Sequence, residues 1–73
     1  MKFVPERLSI AAGDEVEWKN EDIVPHTTAA PGVFSSPVMA PGEVFRATIG
    51  SAGAVPYGCT LHPTMRASLT VTP

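Results

Sequence analysis

The chain has 73 residues and a formal net charge of −2, a size that corresponds to one small domain, residues 1–73. It contains no cluster of Lys or Arg, which argues against nucleic-acid binding, and no apolar run approaches the ~20 residues of a membrane span. A single cysteine excludes an internal disulfide, so a metal or a partner is the expected source of extra stability.

The first part of the chain predicts two strands joined by a turn. Apolar and polar residues alternate in the segment 3–10, where Pro5 indicates a kink or a sheet edge. Residues 12–14 are typical of a turn. Beyond them, Val16 and Trp18 alternate with charged residues, which predicts a half-buried strand with these two side chains in a core.

The rest of the chain predicts loops and three further short strands. Residues 20–31 read as a loop, and residues 32–42 as irregular structure without a long regular element. Alternation predicts strands over 44–49 and 67–72, and a short strand over 54–59. Short strands separated by turns about every 8–12 residues indicate an all-β sandwich.

The most informative stretch is Cys59-Thr60-Leu61-His62-Pro63-Thr64-Met65, a Cys-x2-His-x2-Met motif. It places a thiolate, an imidazole and a thioether on what reads as one short loop between two strands. These are the soft and borderline donors that copper prefers, whereas magnesium and calcium prefer oxygen.

The second histidine of the chain, His26, lies far upstream, in a loop that Pro25 stiffens. If the fold brings His26 back to the motif, the set becomes two His, one Cys and one Met. That is the ligand set of a blue-copper electron-transfer centre.

Each of these residues also has an ordinary structural interpretation. A lone cysteine is usually a small buried hydrophobe, and methionine usually fills gaps in a core. Met1 and Met39 lack the spacing of a ligand, so packing is expected for both. Trp18 and Tyr57 are expected to pack in the interior. Zinc is an alternative metal but is poorly matched by methionine, and a binuclear copper centre would need a second cysteine.

Four stretches resemble the cupredoxin family, most closely its plastocyanin and amicyanin group. They are Gly13–Asn20, Pro25-His26, Ala40–Glu43 and Tyr57–Met65, in the order that the family has them. The resemblance implies a Greek-key β-sandwich, here shortened at the N-terminus. It also implies a periplasmic or otherwise extracytoplasmic carrier that passes single electrons between larger redox proteins, although no signal peptide is visible in this chain.

The same resemblance implies that one copper ion per chain is held by His26, Cys59, His62 and Met65. His62, which Pro63 follows, is the ligand expected at the surface. An apolar patch around it would dock transiently on redox partners. The residues expected in this patch are Pro25, Leu61 and Pro63, with Pro31 and Met39 as further members.

The chain departs from the family pattern in three ways. It lacks the family's first strand, so a sheet edge would be exposed unless another copy or a neighbouring domain covers it. Thr27 stands where plastocyanin has an asparagine that ties two ligand loops together, and we expect it to make only part of that contact. Pro56 and Gly58 flank Tyr57 where larger residues are usual.

Three functions are therefore compared. The first is a one-electron carrier, the second a copper-binding or delivery module, and the third an excised domain of a larger copper oxidoreductase. Enzymatic activity is not expected, because no nucleophile–base pair is evident and four protein ligands leave no position for a substrate.

Overall fold

The computed structural model describes residues 2–73, which form strands and no helix, and thus no helix able to cross a membrane. Alternating sequences and turn residues produce short strands throughout this range, as predicted for an all-β chain. The strands are β1 (Arg7–Ala11), β2 (Glu15–Lys19), β3 (Ala29–Ala30), β4 (Phe34–Ser35), β5 (Val44–Thr48), β6 (Gly53–Cys59) and β7 (His62–Thr72).

The strands form two sheets. One has five strands in the order β1-β7-β6-β3-β4, and the other consists of β2 and β5. β1 pairs in parallel with β7, whereas β6 and β7 form an antiparallel hairpin. Strands that are distant in sequence are thus neighbours in the larger sheet, and the chain crosses between the sheets. The predicted all-β sandwich is confirmed.

The smaller sheet follows the predicted alternation. Val16 and Trp18 of β2 are buried, while Glu17 between them is exposed. β5 pairs antiparallel with β2 and places Phe45 opposite Trp18. Period-two alternation has this effect because successive side chains of a strand point to opposite faces.

An aromatic cluster fills the space between the sheets. The Trp18 ring lies with its centroid 4.7 Å from that of Phe34, 5.8 Å from Phe45 and 5.7 Å from Tyr57. Leu69 of β7 is fully buried in the same cluster. Trp18 and Tyr57 are therefore core residues, as predicted.

The predicted loop 20–31 contains the two-residue strand β3, and two strand starts differ from the predictions by four or five residues. β1 begins at Arg7 rather than near residue 3, because Pro5 has no N–H to donate to a sheet. β7 begins at His62 rather than near residue 67, because the pairing with β6 continues to Cys59 opposite His62. The expected ligand loop is consequently a hairpin with only two connecting residues, 60 and 61.

One edge of β2 is free. β5 covers the other edge, and no strand within residues 2–73 pairs with this one. A groove of about 330 Å³ runs beside it, between residues 2–5 and residues 16–22. Leu8 borders this groove and is 39% exposed, although its apolar side chain would suit the core. The groove reaches the end of the sandwich that carries the candidate ligands.

Candidate metal centre

The ligand hairpin, residues 59–65, places two candidate ligands side by side. Cys59 is the last residue of β6 and His62 the first of β7. A register irregularity between Gly58 and Cys59 accompanies this tight connection. The Cys59 Sγ lies 3.6 Å from the Nδ1 atom of His62. Strand pairing alone therefore brings these two side chains together.

His26 arrives from the His26 loop, residues 20–28. Its backbone forms an isolated bridge with Met39, in which the His26 N–H donates to the Met39 carbonyl at 3.1 Å. The Met39 N–H donates back to the His26 carbonyl at 2.8 Å. This pairing holds the imidazole so that its Nδ1 lies 3.8 Å from the Cys59 Sγ.

The three donor atoms of His26, Cys59 and His62 all lie within 4.8 Å of one another. The two imidazole rings are 4.9 Å apart, with their planes at 55°. Cys59 and His26 are buried, and His62 is partly exposed, as expected for the surface ligand. The distant loop and the hairpin thus meet in one cluster.

Met65 lies three residues beyond His62 within β7 and is buried. It lines the same groove as His26. Gly58 runs against it so closely that a Cβ at position 58 would come within 3.0 Å of the Met65 carbonyl oxygen. A larger residue at position 58 would therefore need the backbone at Met65 to move.

Met39 differs from one expectation. It does not belong to the surface patch, since it is 5% exposed and contributes to the core. Its backbone pairing with His26 directs the side chain inward. Met39 thus has the packing role predicted for it, and Met1 lies outside the described residues.

Thr27 links the His26 loop to the ligand hairpin. Its backbone N–H donates to the Cys59 Sγ at 3.4 Å, and its hydroxyl lies 3.7 Å from the same atom. The Thr27 hydroxyl also accepts from the Thr60 N–H at 2.8 Å and lies 2.7 Å from the Thr60 hydroxyl. One hydroxyl and one amide of Thr27 thus join the two segments.

These contacts favour the thiolate. Burial by itself raises the pKa of Cys59, but hydrogen bonds from the Thr27 N–H, His26 and His62 outweigh it and lower that pKa to about 6, from an ordinary value of 9.0. For His26, burial acts to lower the pKa, and contacts with Cys59 and Asp22 outweigh it and raise the pKa. The sulfur is thus prepared to bind a metal, because the thiolate is the ligating form.

Asp22 is a site residue that the sequence did not reveal. Its Oδ2 lies 3.0 Å from the Nε2 atom of His26, the ring nitrogen that faces away from Cys59. The sequence does show an acidic residue four positions before His26, but nothing in it indicates that the two side chains meet. That spacing has a defined meaning on a helix but not in a loop, where the backbone path sets which side chains meet.

The donor set fits copper. One thiolate that is favoured at neutral pH, two imidazoles and a thioether at one buried end suit a soft or borderline ion. No carboxylate oxygen belongs to the cluster of three donor atoms, which argues against calcium or magnesium. A thioether is also a poor choice for zinc.

Comparison with known proteins identifies relatives along nearly the whole chain, although no family model matches. Amicyanin from Paracoccus versutus is 31% identical over 77 residues, which cover 97% of this chain and 58% of that protein. Plastocyanin from Prochlorothrix hollandica is 33% identical over 70 residues, covering 82% of this chain and 53% of that protein. The chain thus spans little more than half the length of these relatives.

Solved structures of related proteins superpose closely on this chain. A methionine-to-alanine variant of amicyanin in its Cu(I) form superposes with a TM-score of 0.90 at 32% identity, over 97% of this chain and 73% of that one. A purple cupredoxin from Nitrosopumilus maritimus gives 0.91 at 30% identity, over 94% of this chain and 80% of that one. Sequence and fold therefore point to the same family.

Proposed function

This chain belongs to the cupredoxin family, and we propose that it carries single electrons with one copper ion held by His26, Cys59, His62 and Met65. Bound copper would supply the one-electron couple between Cu(II) and Cu(I). The observation that carries the proposal is the cluster of three donor atoms within 4.8 Å, assembled from two separate segments. We also propose that residues 1–73 act as one domain in an extracytoplasmic compartment, as family membership suggests.

The residues around the cluster support fast electron transfer because they hold the ligands still. The Thr27 N–H fixes the Cys59 sulfur, and the Met39 backbone fixes His26. The Met39 contact uses only backbone atoms of His26, and the Cys59 sulfur that accepts from Thr27 has further lone pairs for a metal. A metal site held by the protein in this way needs little rearrangement when the charge of the metal changes. The barrier to electron transfer is lower for that reason.

The partner surface that we propose surrounds His62. Leu61 is 48% exposed next to it, and Pro25 and Pro63 are also exposed. Ile23, in the His26 loop, is a further exposed apolar side chain, at 90% exposure. An apolar surface of this kind suits brief docking on a redox protein, where contacts are small and dissociation is fast.

The test is to add Cu(II) to the metal-free protein and to record visible and electron paramagnetic resonance spectra. An intense thiolate-to-copper band that disappears in Cys59→Ser and cycles reversibly with a reductant supports the proposal. Met39→Leu is the matched control for Met65→Leu, since both remove a buried thioether and only Met65 follows the motif. A wild-type protein that stays colourless would refute a carrier of this type.

A copper-delivery module is the second candidate, favoured by the groove that reaches His26 and Met65 from the surface. Delivery requires rapid exchange of the ion, whereas a carrier retains it through many redox cycles. Measuring copper transfer to a chelator alongside redox cycling separates the two. An excised domain of a larger oxidoreductase would show the same spectra, and would differ only in its natural neighbours.

The free edge of β2 supports a proposal about assembly. The Asn20 N–H donates to the Glu43 carbonyl, and the Asn20 carbonyl accepts from the Gly42 N–H. The backbone N–H and C=O groups of the even-numbered residues of β2 therefore point toward β5. By alternation, the N–H and C=O groups of Glu15, Glu17 and Lys19 point outward. We propose that a strand from another copy or a neighbouring domain pairs there.

Sedimentation across a range of concentrations, with amide exchange at positions 15, 17 and 19, tests this assembly. A dimer whose three amides become protected identifies another copy as the source. A monomer whose amides become protected only when the neighbouring domain is present identifies that domain. Rapid exchange under both conditions would overturn the proposal.

A further inference from the structure

Asp22 places a carboxylate against the buried His26, on the side of the ring that faces away from Cys59. Its Oδ2 lies 3.0 Å from the Nε2 atom of His26, while the Nδ1 atom of the same ring faces Cys59. An imidazole whose Nε2–H donates to a carboxylate keeps the Nδ1 lone pair free for a metal. The contact therefore selects the tautomer that ligation requires.

Asp22 is itself held in place by its neighbours. Its backbone N–H donates to the Asn20 side-chain oxygen at 2.9 Å, and its Oδ1 accepts from the Ile23 N–H at 2.8 Å. The buried Asn20 amide donates in addition to the carbonyls of Val24 and Met39, each at 2.9 Å. The carboxylate is thus directed at His26 by a fixed turn and does not depend on a chance rotamer.

The two candidate histidine ligands differ in this respect. Within residues 2–73, no hydrogen-bond partner meets the second ring nitrogen of His62, which lies at the partly exposed end of the site. His26, in contrast, is buried and has a partner on each nitrogen. Both rings contact Cys59, but among the described residues only His26 also has a carboxylate on its second ring nitrogen.

We propose that Asp22 is a positioning residue that fixes the His26 ring and favours Cu(II) over Cu(I). This inference rests on the proposed function. A carboxylate that accepts from a ligating imidazole makes the ring a stronger donor, and its negative charge stabilises the ion of higher charge more. Removing it should weaken Cu(II) binding more than Cu(I) binding and should therefore raise the reduction potential.

The experiment compares Asp22→Ala and Asp22→Asn with Glu21→Gln in the full chain. Loss of an outer partner of a ligating histidine typically lowers metal affinity about 10–100-fold. A selective tenfold loss of Cu(II) affinity equals a rise of 59 mV in the potential. We expect Asp22→Ala to show this rise or more. Asp22→Asn should show a smaller one, because an amide oxygen still accepts the hydrogen bond.

Glu21→Gln is the matched control, since it removes an adjacent, exposed carboxylate that makes no side-chain contact with His26. A shift in Glu21→Gln equal to that in Asp22→Ala would reduce the effect to long-range charge and overturn the inference. So would an unchanged potential in Asp22→Ala.

A second readout needs no copper. In the metal-free protein, nuclear magnetic resonance should show a slowly exchanging Nε2–H on His26, and Asp22→Ala should lose it without loss of folding. Its absence from the wild-type protein would also overturn the inference. Failure of the wild-type protein to develop a thiolate-to-copper band would instead refute the proposed function, so the two failures are distinct.

Discussion

The ligand hairpin and the His26 loop contribute to the same centre, but they are held by different forces. In the hairpin, pairing between β6 and β7 places Cys59 beside His62. In the loop, single side chains determine the geometry, above all Asn20, Asp22 and Thr27. Backbone pairing tolerates most side-chain changes, whereas a polar tether is lost with one residue. The loop should therefore be the more sensitive half of the site.

The largest expected effect concerns the Cys59 sulfur, where the His26 loop meets the ligand hairpin. The folded, metal-free protein should titrate its Cys59 thiol at a pKa of about 6, against 9.0 for an ordinary thiol. Three pH units correspond to about a thousandfold change in the ratio of thiolate to thiol. A pH titration of the ultraviolet absorbance of the thiolate measures this pKa, with Cys59→Ser as the blank.

The same shift has a consequence for stability. Because the folded-state pKa of Cys59 is depressed, the thiolate contributes its full stabilisation above pH 9 and loses it as pH falls through about 6. The difference in unfolding free energy between wild-type and Cys59→Ser should therefore grow as pH rises from 6 to 9. A constant difference over this window would contradict the shift.

Asn20→Ala tests the loop half directly. It removes the amide that donates to the Val24 and Met39 carbonyls and leaves those acceptors without this partner. The Met39 carbonyl still accepts from the His26 N–H, so the Val24 carbonyl is the acceptor that loses its partner. At about 1–3 kcal/mol for a polar group left unsatisfied, the expected loss of unfolding free energy is about 1–3 kcal/mol. Urea denaturation measures it. Glu21→Ala, an exposed change in the same loop, should stay within about 0.5 kcal/mol.

Gly58→Ala tests the hairpin half. The added methyl would meet the Met65 carbonyl oxygen at 3.0 Å, so the backbone at this candidate ligand must move to admit it. Overpacking of this kind costs about 1–3 kcal/mol, and the copper spectrum should change with it. Gly50→Ala is the matched control, because nothing lies within 4 Å of its added Cβ. Equal effects of both substitutions would rule out a close approach at position 58.

Thr27→Val tests the link between the two segments and should have the smallest effect. It removes the hydroxyl that accepts from the Thr60 N–H, while the backbone N–H of Thr27 still donates to Cys59. The expected cost is about 0.5–1.5 kcal/mol, together with faster exchange of the Thr60 amide. Thr27→Ser retains the hydroxyl and should behave as wild-type. A Val variant as stable as the wild-type protein would rule out a contribution from this hydroxyl.

Prediction from the sequence succeeded where a local pattern sets the structure. The alternation of Val16 and Trp18 with charged residues gave the buried face of β2 correctly. The irregular nature of residues 32–42 was also correct, since a two-residue strand and one bridge are all that form there. It failed at the start of β7, because His62 belongs to a pairing that depends on β6 and not on its own neighbours in sequence.

The amino-acid sequence by itself determined which donor chemistry this protein offers, because a Cys-x2-His-x2-Met spacing and a second histidine are written in it. It also determined an all-β fold, because side-chain direction in a strand follows position. Only the tertiary structure decided that His26 lies against Cys59, 33 residues away, and that Asp22 is directed at its far nitrogen. Contacts of that range depend on how the sheets pack and on hydrogen bonds such as that from Asn20 to Met39, which no local pattern encodes.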